Sequence, residues 1–188
     1  MRMTAPVLTM RLATPRLVLD APTDDDVPDV LAACQDPATQ RWVPLPSPYT
    51  RESAEFFVRS YCPHGLASRQ YTVWAVRARG DGRLLGALEV RRDEHPGSAS
   101  LGCWSGPWAR GQGYMREALG AVARYALDPD GLGFERLNWE YVPGNEASRR
   151  LAEAAGFGFG DGIRTVVSLH GELREARVGR LSRDGVGR

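Results

Sequence analysis

Trp104-Ser105-Gly106-Pro107-Trp108-Ala109-Arg110-Gly111-Gln112-Gly113-Tyr114-Met115 is the stretch on which the fold turns. An apolar, strand-like run, Ala99 to Ser105, leads into it. An amphipathic helix follows from about Met115 to Ala126, with Met115, Ala118, Leu119, Val122 and Ala126 on one stripe. Glycines at such a junction let backbone N–H groups approach a ligand closely. The helix start adds donors without intrahelical partners and the positive end of the helix dipole. Together they make an anion site suited to a pyrophosphate, one that needs no lysine because amides do the binding. A Gly-x-Gly pair alone is common in turns, so the surroundings must carry the reading.

Upstream, Arg16 to Leu19 reads as a short strand. Thr23 can cap a helix from Asp24 whose apolar face is Val27, Val30, Leu31 and Cys34. The acidic run Asp24, Asp25 and Asp26 suits the positive end of that helix. Prolines 44, 46 and 48 forbid helix. Thr50 caps a second helix with Ala54, Phe57, Val58 and Tyr61 at i, i+3, i+4 and i+7. The period then changes to two. Tyr71 to Val76, Leu84 to Arg91 and Ala99 to Ser105 read as three strands of a meander, broken at Gly80-Asp81-Gly82 and at His95-Pro96-Gly97.

Downstream, Leu137 to Tyr141 is a strand. Asn145 caps a short helix that ends at Ala155, with Gly156 as its stop. Ile163 to Leu169 and Ala176 to Leu181 form a hairpin around Gly171. The order predicts a mixed α/β domain: an antiparallel start, one crossover after the glycine turn, and about four helices. Residues 15–182 are the expected single domain, with a flexible arm over 1–14 and a tail over 183–188.

Composition excludes several chemistries. The chain has 188 residues and a net charge of +1, so no global basic field points to nucleic acid. All 24 basic residues are Arg. Without lysine there is no Schiff base, no P-loop and no kinase strand lysine. The single Ile and two Asn suggest a coding bias as the first cause of that count. Cys34, Cys62 and Cys103, and His64, His95 and His170, are scattered, which argues against a disulfide framework or a metal site. Cys103 lies in an apolar run and reads as a small core residue. No leader or spanning segment is legible, so a cytoplasmic protein without membrane association is expected.

About thirty residues after the turn comes Asn145-Glu146-Ala147-Ser148-Arg149-Arg150-Leu151, ending in Ala155-Gly156-Phe157. An Asn cap and a Gly stop explain those residues locally, but not their place one helix and one strand after the glycine turn. Turn, helix and element order together resemble the GNAT superfamily of N-acetyltransferases over roughly residues 15–182. The [Arg/Gln]-x-x-Gly-x-[Gly/Ala] turn of that family is matched by Arg110 to Met115, with Met115 standing where a small residue is usual. Tyr114-Met115, the Asn-x-Ala-Ser helix and Gly156-Phe157 look like the branch of ribosomal-protein N-terminal (alanine/serine) acetyltransferases.

That resemblance implies a GNAT-like mixed sheet with a splayed parallel central pair and a C-terminal hairpin. It implies acetyl-CoA as co-substrate, no metal, and direct transfer of the acetyl group to a primary amine. Trp104 and Ser105 would meet the thioester arm through main-chain groups. The pyrophosphate would lie at the turn Arg110, Gly111, Gln112, Gly113, Tyr114 and Met115, on the amides of 111–115. Asn145 would bond the pantetheine arm, and Arg149 or Arg150 the 3′-phosphate. Ser148 is the implied proton donor to the leaving thiolate. Two carboxylates stand as candidate bases: Asp161, by its place after Gly156-Phe157, and Glu89, on a strand bordering the cleft. Glu140 borders the same cleft. Trp42, Phe56, Phe57, Tyr61 and Trp74 are the aromatic residues expected toward the acceptor end. The acceptor is read as a protein or peptide N-terminal α-amine, with a small-molecule amine beside it. A non-catalytic acyl-CoA-binding module is the rival class. A dinucleotide site lacks its Gly-x-Gly-x-x-Gly spacing. Homodimers are frequent in the family.

Overall fold

The computed structural model describes residues 11–160 and 164–185. Eight strands form one sheet: β1 (Leu12–Ala13), β2 (Leu17–Asp20), β3 (Tyr71–Ala78), β4 (Leu84–Arg92), β5 (Ser98–Ser105), β6 (Arg136–Tyr141), β7 (Arg164–Leu169) and β8 (Glu172–Ser182). Their order is β1-β2-β3-β4-β5-β6-β8-β7. Neighbours run antiparallel except β5 and β6, which run parallel. The meander, the parallel pair and the C-terminal hairpin are those expected from the sequence.

The helices are α1 (Val27–Gln35), α2 (Pro37–Trp42), α3 (Arg51–Phe56), α4 (Cys62–Ser68), α5 (Tyr114–Leu127) and α6 (Glu146–Ala154). A π-helical turn, Phe57–Tyr61, joins α3 to α4. The expected four helices become six segments for two local reasons. The α2 segment is set by an Asp36 cap and Pro37 at its first position, and it went unread beside the proline-rich run. The helix capped by Thr50 continues through the π turn to Arg69, which ends it in the left-handed conformation at φ 59°.

The two ends also differ from expectation. Leu12 and Ala13, expected in the arm, pair with Leu19 and Val18 of β2. Thr14 donates to Glu117 of α5 at 2.5 Å. Arg183, expected in the tail, donates to the carbonyls of Leu127 and Phe134 at 2.9 and 3.0 Å.

Both faces of the sheet are covered, so its central strands read as near-continuous apolar runs. Trp74, Val76, Leu88, Leu101 and Leu137 pack beneath α5 and α6. Val73, Ala75, Ala87 and Trp104 pack on the other face beneath α1 to α4. The Asp24-Asp25-Asp26 run does more than meet a helix dipole. Asp26 is buried and takes the Arg77 guanidinium, with Nη2 at 2.7 Å from Oδ2, and Asp24 pairs with Arg59 at 2.8 Å. Gly86 lets β4 run close to the end of β5: a Cβ there would stand 2.2 Å from the Trp104 carbonyl oxygen and 2.9 Å from Met115 Cε. That contact fixes where the glycine turn leaves the sheet.

Candidate active site

The turn holds itself together with its side chains. Trp108 donates its indole N–H to the Leu84 carbonyl at 2.8 Å, and Gln112 its amide to the Trp108 carbonyl at 2.8 Å. Arg16 donates to the Gln112 carbonyl at 3.0 Å, pairs with Glu117 at 2.6 Å and lies over the Tyr114 ring at 4.6 Å. Burial alone would raise the Glu117 carboxyl, but the bonds from Thr14 and Arg16 hold it below its ordinary value. The Arg110 guanidinium, expected toward the cofactor, is taken up by Asp36 at 2.6 Å, Thr39 at 2.8 Å and the Ser105 carbonyl at 3.3 Å.

The main chain of the turn is arranged differently. Gly111 and Gly113 sit at φ 73° and 76°, where a side chain is strained. Gly113 is the N-cap of α5, and no side chain caps that helix. A Cβ at Gly111 would meet nothing within 4 Å. An uncapped helix start beside open space suits an anion, because the first-turn amides lack intrahelical partners.

The strand before the turn opens the second part of the site. β5 and β6 pair only from Ser98↔Arg136 to Leu101↔Trp139. Beyond that register they part, and a cavity of about 440 Å³ fills the gap. Trp104, Ser105, Arg110, Asn145 and Ser148 all line it. Asn145 Oδ1 accepts the Ser148 amide at 3.2 Å, which caps α6. Ser148 Oγ accepts the Trp139 indole N–H at 2.9 Å. A hydroxyl has one donor and two acceptor positions, so its own proton stays available to another partner. Glu140 also lines this cavity, its carboxyl held above the ordinary range by burial and then by nearby Asp93.

A second cavity of about 620 Å³ lies under α3 and the π turn and meets the first at Gly102, Cys103 and Trp104. Glu89 lines it, on β4 directly opposite Gly102 of β5. Tyr61 donates its phenol to Glu89 Oε2 at 2.7 Å, Arg91 donates to Oε1 at 2.9 Å, and Arg91 also donates to the Tyr61 oxygen at 2.6 Å. Burial, then the bond to Glu89, pushes the Tyr61 phenol well up.

Of the other candidates, Asp161 lies outside the described residues. Arg149 pairs with Glu146 and Glu153 along its own helix, at 2.7 and 2.6 Å. Trp42 lines the first cavity; Phe56, Phe57 and Tyr61 line the second. Trp74 does neither: it is fully buried edge-on to Tyr125, on the α5 side of the sheet. Cys103 borders both cavities, and burial pushes its thiol up to about 12, so it is not a thiolate at neutral pH. The reading missed Glu52 and Ser53 on the cavity wall, and the place of Arg91 beside Glu89. The signal for Arg91 was present, since it lies two residues from Glu89 on one strand and so shares its face. Among the described residues no group of three or more His, Cys, Asp or Glu side chains can hold a metal ion. No described helix is long and apolar enough to cross a membrane.

The site is thus a mixed sheet that parts at its parallel pair, with an uncapped glycine turn after β5. The model of the acetyltransferase (GNAT) domain family matches residues 16–158, and the chain belongs to that family. It is an N-acetyltransferase enzyme. Solved structures share the fold. One assigned as a ribosomal-protein-serine acetyltransferase, from Vibrio cholerae, is 24% identical with a TM-score of 0.81, over 93% of this chain and 98% of its own. RimL, a ribosomal L7/L12 alpha-N-protein acetyltransferase in complex with coenzyme A, is 18% identical at 0.76, over 93% and 98%. The Microcin C7 self-immunity acetyltransferase MccE, in complex with acetyl-CoA and AMP, is 14% identical at 0.77, over 90% and 93%.

Proposed function

We propose that this enzyme, as a single domain, transfers the acetyl group of acetyl-CoA to a primary amine. The observation that carries the reading is two cavities that share residues 102–104, one lined as far as Arg110 at the head of the turn, the other lined by the Glu89 carboxylate. The amides of residues 111–115 would hold the pyrophosphate. The main chain of Trp104 and Ser105, on the unpaired edge of β5, would hold the thioester arm. The Asn145 side-chain NH₂ is the donor toward the pantetheine, since its Oδ1 caps α6. When bound, acetyl-CoA supplies an acetyl group activated as a thioester.

The chain's residues manage protons. An amine must be neutral to attack, so one proton leaves its ammonium form. As the new N–C bond forms and the C–S bond breaks, the nitrogen loses a second proton and the thiolate takes one. Glu89, oriented by Tyr61 and Arg91, is the carboxylate that draws the ammonium in and accepts its proton, directly or through water. Ser148, whose oxygen already accepts from Trp139, passes its hydroxyl proton to the leaving sulfur and is reprotonated by the second proton lost from the nitrogen. The resemblance to ribosomal-protein acetyltransferases supports an N-terminal α-amine as acceptor. The apolar second cavity supports a small-molecule amine.

The test is calorimetric titration with acetyl-CoA, with NADH and ATP as controls, followed by a thiol-release assay across amines. Saturable binding of acetyl-CoA alone, with amine-dependent release of coenzyme A, is the expected result. Tight binding with no turnover on any amine would make the protein an acyl-CoA-binding module. No binding would overturn the reading.

A further inference from the structure

We infer that the acceptor is a primary amine carried on a bulky apolar body, of arylalkylamine size, and that the cavity beneath α3 and the π turn is its seat. The inference rests on the acetyl-transfer reading above and names its second substrate.

The cavity volume of about 620 Å³ falls in the range of small-molecule pockets. Its walls are mainly apolar: Val43, Leu45, Phe57, Val73 and Ala87. Part of that wall is a built aromatic surface. Phe57 stacks on Tyr61 with centroids 5.9 Å apart and lies at 6.2 Å from Trp104. The π turn sets Phe57 and Tyr61 on one side of the helix, and such turns recur at functional sites. At the rim Phe56 is 61% exposed, a large apolar ring that a seated apolar body would cover.

Charge sits at one end of the chamber. Glu89 faces Gly102 across the β4–β5 pair, and a Cβ at Gly102 would meet nothing within 4 Å. An ammonium drawn to Glu89 is therefore beside Gly102, which lines both cavities. Glu52 adds a second carboxylate to the wall. The cation nearest Glu89, Arg91, is already bonded to Glu89 and to Tyr61. The chemistry fits one positive charge on an apolar body. A peptide fits it less well. Each of its residues carries an N–H and a C=O that need partners, and these walls are mostly carbon, so most of those groups would lose water without replacement.

The experiment compares acceptors at saturating acetyl-CoA: 2-phenylethylamine, tryptamine, ethylamine, putrescine, and short peptides beginning with Ser or Ala. The expected kcat/KM for 2-phenylethylamine exceeds that for ethylamine and for either peptide by about tenfold or more, as burial of several methylenes in an apolar pocket requires. Phe56→Ser, a change at an exposed position, is expected to raise KM for 2-phenylethylamine about fivefold and to narrow its advantage over ethylamine. Preference for the peptides, or equal rates with ethylamine and 2-phenylethylamine, would overturn the inference and leave acetyl transfer standing. Acetyl-CoA binding with no acceptor turned over would overturn both.

Discussion

The two cavities that meet at residues 102–104 are built from different material. The one at the splay is mainly a main-chain site. It has an unpaired strand edge, and the turn that follows adds two positive-φ glycines and an uncapped helix start, while the side chains of the turn brace the turn. The one under α3 is a side-chain site, with apolar walls and a Glu89–Tyr61–Arg91 cluster that no single element contains. The difference predicts what evolution can change. A main-chain site tolerates almost any side chain that keeps the backbone path, so one co-substrate can persist through wide divergence. A side-chain site can be refitted position by position, so the acceptor can change while the fold does not.

Breaking the main-chain site should have the largest effect. Gly113→Val puts a β-branched side chain at φ 76° beside the start of α5, a backbone conformation that costs such a residue roughly 1–3 kcal/mol. It also sets methyls where a pyrophosphate would approach. Acetyl-CoA affinity is expected to fall beyond calorimetric detection while circular dichroism still reports a folded chain. Normal affinity in that variant would mean that the phosphates lie elsewhere.

Changes in the side-chain site should separate binding from turnover. Glu89→Gln keeps the shape and one of the two acceptor oxygens but removes the proposed proton acceptor. Its kcat should drop about 10²- to 10⁴-fold, as for loss of a general base, with acetyl-CoA affinity intact. Ser148→Ala is the smaller test. The expected loss in kcat is about ten- to a hundredfold, again without loss of acetyl-CoA affinity. An unchanged rate would return Ser148 to capping α6 and holding the Trp139 indole.

The same difference explains what could be read from the sequence. Gly111, Gly113 and the apolar stripe of α5 are local signals. They placed the turn and the helix after it, because backbone requirements are written in neighbouring residues; the splayed pair was implied only by the resemblance to the GNAT superfamily. Glu89 could be suspected only as a strand carboxylate, because its phenol partner, Tyr61, comes from a distant element. The π turn that presents Tyr61 was hidden, because Ala54, Phe57, Val58 and Tyr61 fit an ordinary α period as well. Arg110 shows the opposite limit. Its place in the turn suggested a ligand, but Asp36, brought alongside by the unread α2, takes its charge. Trp74 was grouped with the pocket aromatics because period-two alternation gives two faces without saying which one meets the ligand.

Asp36 joins the glycine turn to α2 and gives the gentlest test of that link. Its carboxylate caps α2 by accepting the Thr39 amide at 3.0 Å, and it accepts Arg110 from the turn at 2.6 Å. The bond from Arg110 is the main reason its carboxyl lies below the ordinary value. A depressed carboxylate stabilises the fold fully above its unfolded pKa of about 4, and that contribution fades as the pH falls through the lower folded value. Asp36→Asn keeps a competent cap but removes the charge that Arg110 meets. At pH 7 it should cost about 1 kcal/mol, or roughly 2–4 °C in Tm for a chain of this size. The gap between the two proteins should shrink as the pH is lowered below about 4, where the native carboxylate itself becomes protonated. A gap that stays constant down to pH 3 would mean that Arg110 does not hold Asp36 in solution, and that the turn and α2 are linked only by packing.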